Sequence, residues 1–115
     1  MESIIHTKNK ELCYVCGNLA SEEHHVFMGK NRKNADKYGL TVNLCPMCHR
    51  TSFYAVHGRD GHLLDKVLKM VGQTKFEELY GHDKFMEVFG KNYLDKESED
   101  IINEFQQGSN GWQDR

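Results

Sequence analysis

Four cysteines and a group of histidines hold most of the reactive chemistry in this chain. Cys13 and Cys16 form one C-x2-C pair and Cys45 and Cys48 a second, with 28 residues between them. Two neighbouring sulfurs from each pair supply four thiolates, the tetrahedral donor set that zinc takes up with no coordination position left open. A redox pair, or two unconnected sets of buried thiols, would give no reason for the motif to occur twice. The spacing therefore predicts a structural Zn²⁺ site. The stretch between the pairs is longer than the ~15–20 residues of a simple zinc ribbon, so the ion clamps both ends of an inserted unit. In a chain of 115 residues, such an ion supplies much of the folding free energy.

Seven histidines are present. A lone histidine is more often a satisfied core or surface residue than a ligand, and His6, His62 and His82 are read that way. His24 and His25 lie inside the insert directly after Glu22 and Glu23. His49 follows the last cysteine, and His57 comes eight residues later. A zinc clamp would draw these four together. On a continuous helix, His57 would stand ~12 Å from His49. Sharing an ion would need a chain break between them, and otherwise His57 contacts phosphate or packs on a helix.

The elements that must position these groups are short. Gly17-Asn18 marks a knuckle turn after Cys16. His25-Val26-Phe27-Met28 reads as a first strand opened by His24 and His25, and Gly29 to Asp36 as a basic loop. Tyr38 to Leu44 reads as a second strand running into the second cysteine pair. Beyond Gly58-Arg59-Asp60-Gly61, the residues Leu63, Leu64, Val67, Leu68 and Val71 recur at helical spacing. A second helix is expected from Thr74, capped by its side chain with Glu77 in the capping-box position, and ended by Gly81. Phe85, Met86, Val88 and Phe89 form a last short helix ended by Gly90. The fold class is a small α+β protein. Residues 1–94 form one domain, with a zinc-stapled core at about 11–60 and a helical part at about 61–94, and 95–115 form a polar, flexible tail.

Net charge is −2, but it is unevenly spread. From His24 to Arg50, Lys30, Arg32, Lys33, Lys37 and Arg50 face only Asp36. From Leu94 to Glu104, five acids face only Lys96. An approaching polyanion meets the local field, not the sum. No apolar run approaches the ~18 residues of a membrane span, and the first ten residues lack the apolar block of a secretory signal. No membrane association is expected, and a cytoplasmic location is.

The run EEHHVFMGKNRKNADKYGLTVNLCPMCHR, followed by His57, resembles the HNH or ββα-metal endonucleases in their four-cysteine, phage-type form. KFMEVFGKNYL resembles the C-terminal helix of the same group, so the likeness spans about residues 11 to 94. It implies a ββα-metal core followed by C-terminal helices, and a DNA endonuclease that hydrolyses phosphodiesters with a divalent cation. Mg²⁺ is the physiological expectation, although a histidine-rich site also accepts Mn²⁺, Ni²⁺ or Zn²⁺. A non-catalytic zinc module that binds nucleic acid is the alternative.

The resemblance also assigns roles. In one register His24 binds metal and His25 is the general base. In the other, Glu23 binds metal and His24 is the base. The first is favoured. His49 fits the ligand after the knuckle, and His57 is a further candidate. Lys30, Arg32, Lys33, Lys37 and Arg50 would contact DNA phosphates. Where the family places its middle asparagine this chain has Leu40, which leaves Asn43, or Asn31 and Asn34 in the loop, as candidates for its structural task. Implied partners are DNA and proteins of recombination or packaging. If the chain is phage-encoded, its setting is the host cytoplasm.

Overall fold

The computed structural model describes residues 2–51 and 62–94. Among them, a two-stranded antiparallel sheet, a short inserted helix and two C-terminal helices surround one core. Strand β1 (Glu22–His25) pairs with β2 (Thr41–Leu44) in the register Glu22↔Leu44, Glu23↔Asn43, His24↔Val42 and His25↔Thr41. Strand β2 is shorter than the sequence pattern predicts, and β1 has the expected length but lies three residues earlier. It ends at His25, where the first strand was expected to begin. Val26 and Phe27 then leave the sheet and enter the core, at 0% and 1% exposure. Their apolar character thus reflects burial rather than strand pairing.

The expected basic loop is instead a 3₁₀ turn (Gly29–Asn31) leading into helix α1 (Arg32–Tyr38). Seven residues are too few for a helix to persist alone, so α1 depends on its neighbours. Ala35 is fully buried, and the Tyr38 ring packs edge-on to Phe76 and Tyr80 at 5.1 and 5.4 Å. Asn34 and Asn31 donate to the Val88 and Phe89 carbonyls, main-chain acceptors in the last turn of a helix 54 to 58 residues away. None of this tertiary support produces a helical period in the sequence.

Gly39 ends α1 with φ +71°, in the left-handed region that favours glycine. The chain then enters β2 three residues later than the predicted strand start. The N-terminal segment closes over this turn. Ile4 N–H donates to the Gly39 carbonyl at 2.8 Å, the Ser3 hydroxyl donates to the Thr41 carbonyl, and Ile5 and His6 are buried.

Helix α2 runs unbroken over His62–Tyr80, and α3 over His82–Phe89. No new helix starts at Thr74. Its hydroxyl bonds back to the Met70 carbonyl at 2.9 Å, and Glu77 accepts from Gln73 and His82 rather than closing a capping box. Gly72 does not interrupt the helix. An added Cβ would lie 3.3 Å from both Val26 and Phe27, so the missing side chain lets α2 approach the segment leaving β1. The breaks after Tyr80 and Phe89 fall at Gly81 and Gly90, as the sequence predicts. Phe27 sits at the centre of an aromatic cluster with Phe85, Phe89 and Tyr93. Among the described residues, no helix is long and apolar enough to cross a membrane. His57, the Gly58–Gly61 break and the 95–115 tail lie outside the described residues.

Candidate functional site

The two cysteine pairs meet at one end of the sheet. The first is a tight knuckle in which Gly17 N–H donates to the Cys13 carbonyl at 2.9 Å. Tyr14 N–H donates to the Asn43 carbonyl on β2 at 2.9 Å, tying this knuckle to the sheet. Cys45 directly follows β2. Its sulfur accepts from Cys48 N–H at 3.4 Å, and its carbonyl accepts from His49 N–H at 3.0 Å. The four sulfurs lie within 4.8 Å of one another, with Cys16 and Cys45 at 3.5 Å. Sulfurs bound at ~2.3 Å to one tetrahedral ion would stand about 3.8 Å apart. The cluster therefore has the dimensions to hold a metal ion.

Its electrostatics agree. Burial raises the thiol pKa of both Cys48 and Cys16, and for Cys48 the neighbouring Cys13 charge adds to the effect. Burial raises Cys13 as well, but backbone N–H groups of Cys16, Cys45 and Val15 outweigh it and bring that thiol down to about 7. Unaided, the cluster resists carrying four negative charges. A bound cation removes that resistance by deprotonating its thiol ligands.

Side chains alternate along β1. Glu22 and His24 share one face, and Glu23 and His25 the other. His24 is 1% exposed, and its ring lies 5.3 Å from that of His49 at 65°. His49 sits in the π-helical turn Met47–Thr51 that follows the second knuckle. Its Nδ1 donates to Glu22 Oε1 at 2.8 Å, which leaves the ring's lone pair on Nε2, the atom a metal would take. On the opposite face, His25 Nε2 lies 3.4 Å from Asp36 Oδ1 and 3.9 Å from Glu23 Oε1.

The sheet thus groups His24 with His49 and separates both from Glu23 and His25. His57 and the side chain of Arg50 lie outside the described residues. Two residues near the histidines were not singled out from the sequence, Glu22 and Asp36. Placing the strand at Glu22 would have revealed the first through its i, i+2 relation to His24. The second is the lone acid in a run of bases.

Forming α1 also rearranges the basic residues. Arg32, Lys33 and Lys37 are exposed on one helix together with Asp36, and Lys30 is exposed in the turn before it. Lys37 Nζ lies 5.4 Å from the Tyr38 ring centre. None of the four has an ion-pair partner among the described residues. Asn43 donates from Nδ2 to the Lys10 carbonyl at 2.9 Å, and its N–H donates to His6 Nδ1 at 3.1 Å. It thereby joins β2 to the lead-in of the first knuckle, whereas Asn34 joins α1 to α3.

In comparison with known proteins, no family model matches the sequence, and neither does any curated protein or solved structure.

Proposed function

We propose that this chain is a metal-dependent DNA endonuclease of the ββα-metal type, stapled by a zinc ion in its four cysteines. One observation carries the reading: β1 directs His24 toward His49 on one face and His25 toward the other, next to a clamp that fixes the strand. One buried and two partly buried imidazoles beside an exposed basic helix suit phosphodiester chemistry better than simple binding. A zinc module that only bound nucleic acid would have no need to bury His24 against a His49 that Glu22 orients. Thiols in a repeated pair suit a reducing compartment, in keeping with a cytoplasmic protein.

His24 and His49 would hold the divalent cation, which supplies charge stabilisation at the scissile phosphate when bound. The register with Glu23 as ligand fits less well, because Glu23 lies on the face away from His49. The chain's own part is proton transfer. With Nε2 turned toward the two carboxylates, Nδ1 of His25 is the basic atom. It draws a proton from water, whose oxygen bonds to phosphorus as the bond to the 3′ oxygen breaks. That oxygen takes a proton from solvent. Lys30, Arg32, Lys33 and Lys37 hold the phosphate backbone without reading bases.

Supercoiled plasmid with Mg²⁺ or Mn²⁺ tests the proposal. Wild type is expected to nick it, and His25→Ala to lose at least 10²-fold in rate. Wild type that binds plasmid but leaves it uncut with every divalent ion tried would overturn the enzyme reading in favour of the binding module.

A further inference from the structure

The two carboxylates beside His25 converge on a single atom, Nε2, from different elements. Glu23 reaches it along β1 and Asp36 from α1, and the three donor atoms lie within 4.8 Å of one another. Asp36 accepts a long hydrogen bond from Nε2 at 3.4 Å and Glu23 lies farther off at 3.9 Å, both beyond the about 2.7–3.2 Å of the best N–H···O bonds. Ligand atoms bound at ~2.1 Å to one tetrahedral ion stand about 3.4 Å apart. The site is also open: Glu23 and Asp36 side chains are 57% and 67% exposed, and His25 only 13%. Solvent can fill the remaining coordination positions around a histidine held in place.

We infer that Glu23, His25 and Asp36 form a second cation site, on the face of β1 opposite His24 and His49, for imidazole-binding divalent ions such as Zn²⁺, Ni²⁺ or Co²⁺. One nitrogen and two carboxylate oxygens suit those metals. Mg²⁺ prefers octahedral oxygen coordination and keeps its waters, so it binds this set more weakly than those metals do. Lys33 and Lys37 flank Asp36 on α1 and weaken the site, which ranks below the cysteine cluster in affinity.

The site has a consequence for cleavage, which rests on the base role proposed above. A neutral imidazole carries one ring proton. A metal ion that takes the Nε2 lone pair leaves that proton on Nδ1, the atom that must accept one from water. Occupancy therefore silences the base, and Mg²⁺-supported cutting is inhibited by low concentrations of Zn²⁺ or Ni²⁺.

Binding is tested apart from activity, on full-length protein with its cysteine site already zinc-loaded. Imidazole ¹⁵N NMR of wild type during Zn²⁺ titration is expected to show the His25 Nε2 resonance move on metal binding while Nδ1 becomes the protonated nitrogen. Calorimetry in a His49→Ala background isolates the site. That protein is expected to take up one further Zn²⁺, at least tenfold more weakly once Asp36→Asn is added. Unchanged His25 resonances, or equal Zn²⁺ affinity with and without Asp36→Asn, would overturn the site and leave Asp36 only orienting the ring. If the resonances move but no divalent ion supports cutting, the cation site stands and the endonuclease reading falls.

Discussion

His24 and His25 are consecutive in the chain yet face opposite sides of β1, one ring 5.3 Å from His49 and the other with its Nε2 3.4 Å from Asp36. Their substitutions should therefore fail in different ways. His25 faces the exposed carboxylates of Glu23 and Asp36, so His25→Ala should leave stability within about 1 kcal/mol of wild type while removing plasmid nicking. His24 is fully buried, and His24→Ala leaves a cavity that should cost about 2–4 kcal/mol in addition to activity. Urea unfolding of both variants beside the nicking assay separates the two. Equal stability losses would contradict the assignment of faces.

The cysteine cluster joins the lead-in to β1 with the end of β2, so metal removal should affect the whole fold. Complete chelation should abolish cooperative unfolding and most of the helical circular dichroism, and restored Zn²⁺ should recover both. Cys45→Ser removes a ligand that is 4% exposed and should reproduce much of the loss. A chain shown by native mass spectrometry to be metal-free, yet melting as before, would contradict the structural role of the ion.

The cluster was legible in the sequence because its signal is covalent and local: two short spacings fix which sulfurs stand together. The breaks at Gly81 and Gly90 were legible for the same reason, since glycine at positive φ is itself the stop. Helix α1 was not, because its stability comes from Asn31 and Asn34 bonding to α3 and from Tyr38 packing on Phe76, interactions that leave no periodicity in RKNADKY. Val26 and Phe27 misled in the other direction, since a β-branched and aromatic pair marks burial as readily as strand. The displaced strand concealed Glu22, and the missing helix concealed Asp36.

Gly39 stands where α1 turns into β2 and where the N-terminal segment crosses. Any Cβ there meets the Glu2 carbonyl, on backbone already at φ +71°. Gly39→Ala should cost roughly 1–2 kcal/mol for the left-handed conformation alone, and more for displacing residues 2–6. Thermal unfolding and hydrogen exchange at Ile4 N–H would report it. Exchange at Ile4 as slow as in wild type would mean that the segment keeps its place by other interactions.

The exposed face of α1 should act on DNA through phosphates. Replacing Lys33 and Lys37 with alanine should weaken binding uniformly across sequences and reduce the slope of log affinity against log salt by about one unit for each phosphate that is no longer neutralised. Folding should be unaffected, because both side chains are exposed. Weakening confined to one DNA sequence would mean that the helix reads bases instead.

Glu22 touches no proposed substrate, so its effect should pass through His49. The carboxylate holds His49 Nδ1 at 2.8 Å and so fixes both the tautomer and the direction of Nε2. Glu22→Gln keeps the shape and one acceptor oxygen but loses the charge that makes the imidazole a stronger donor to a metal. Outer partners of this kind typically contribute 10–100-fold to metal affinity. The concentration of Mg²⁺ or Mn²⁺ needed for half-maximal nicking should rise by that factor, while the rate at saturating metal changes less. Stability should scarcely move, since Glu22 is partly exposed and its backbone pairing with Leu44 is retained. A fall in saturated rate with no change in metal requirement would instead place Glu22 in the chemical step.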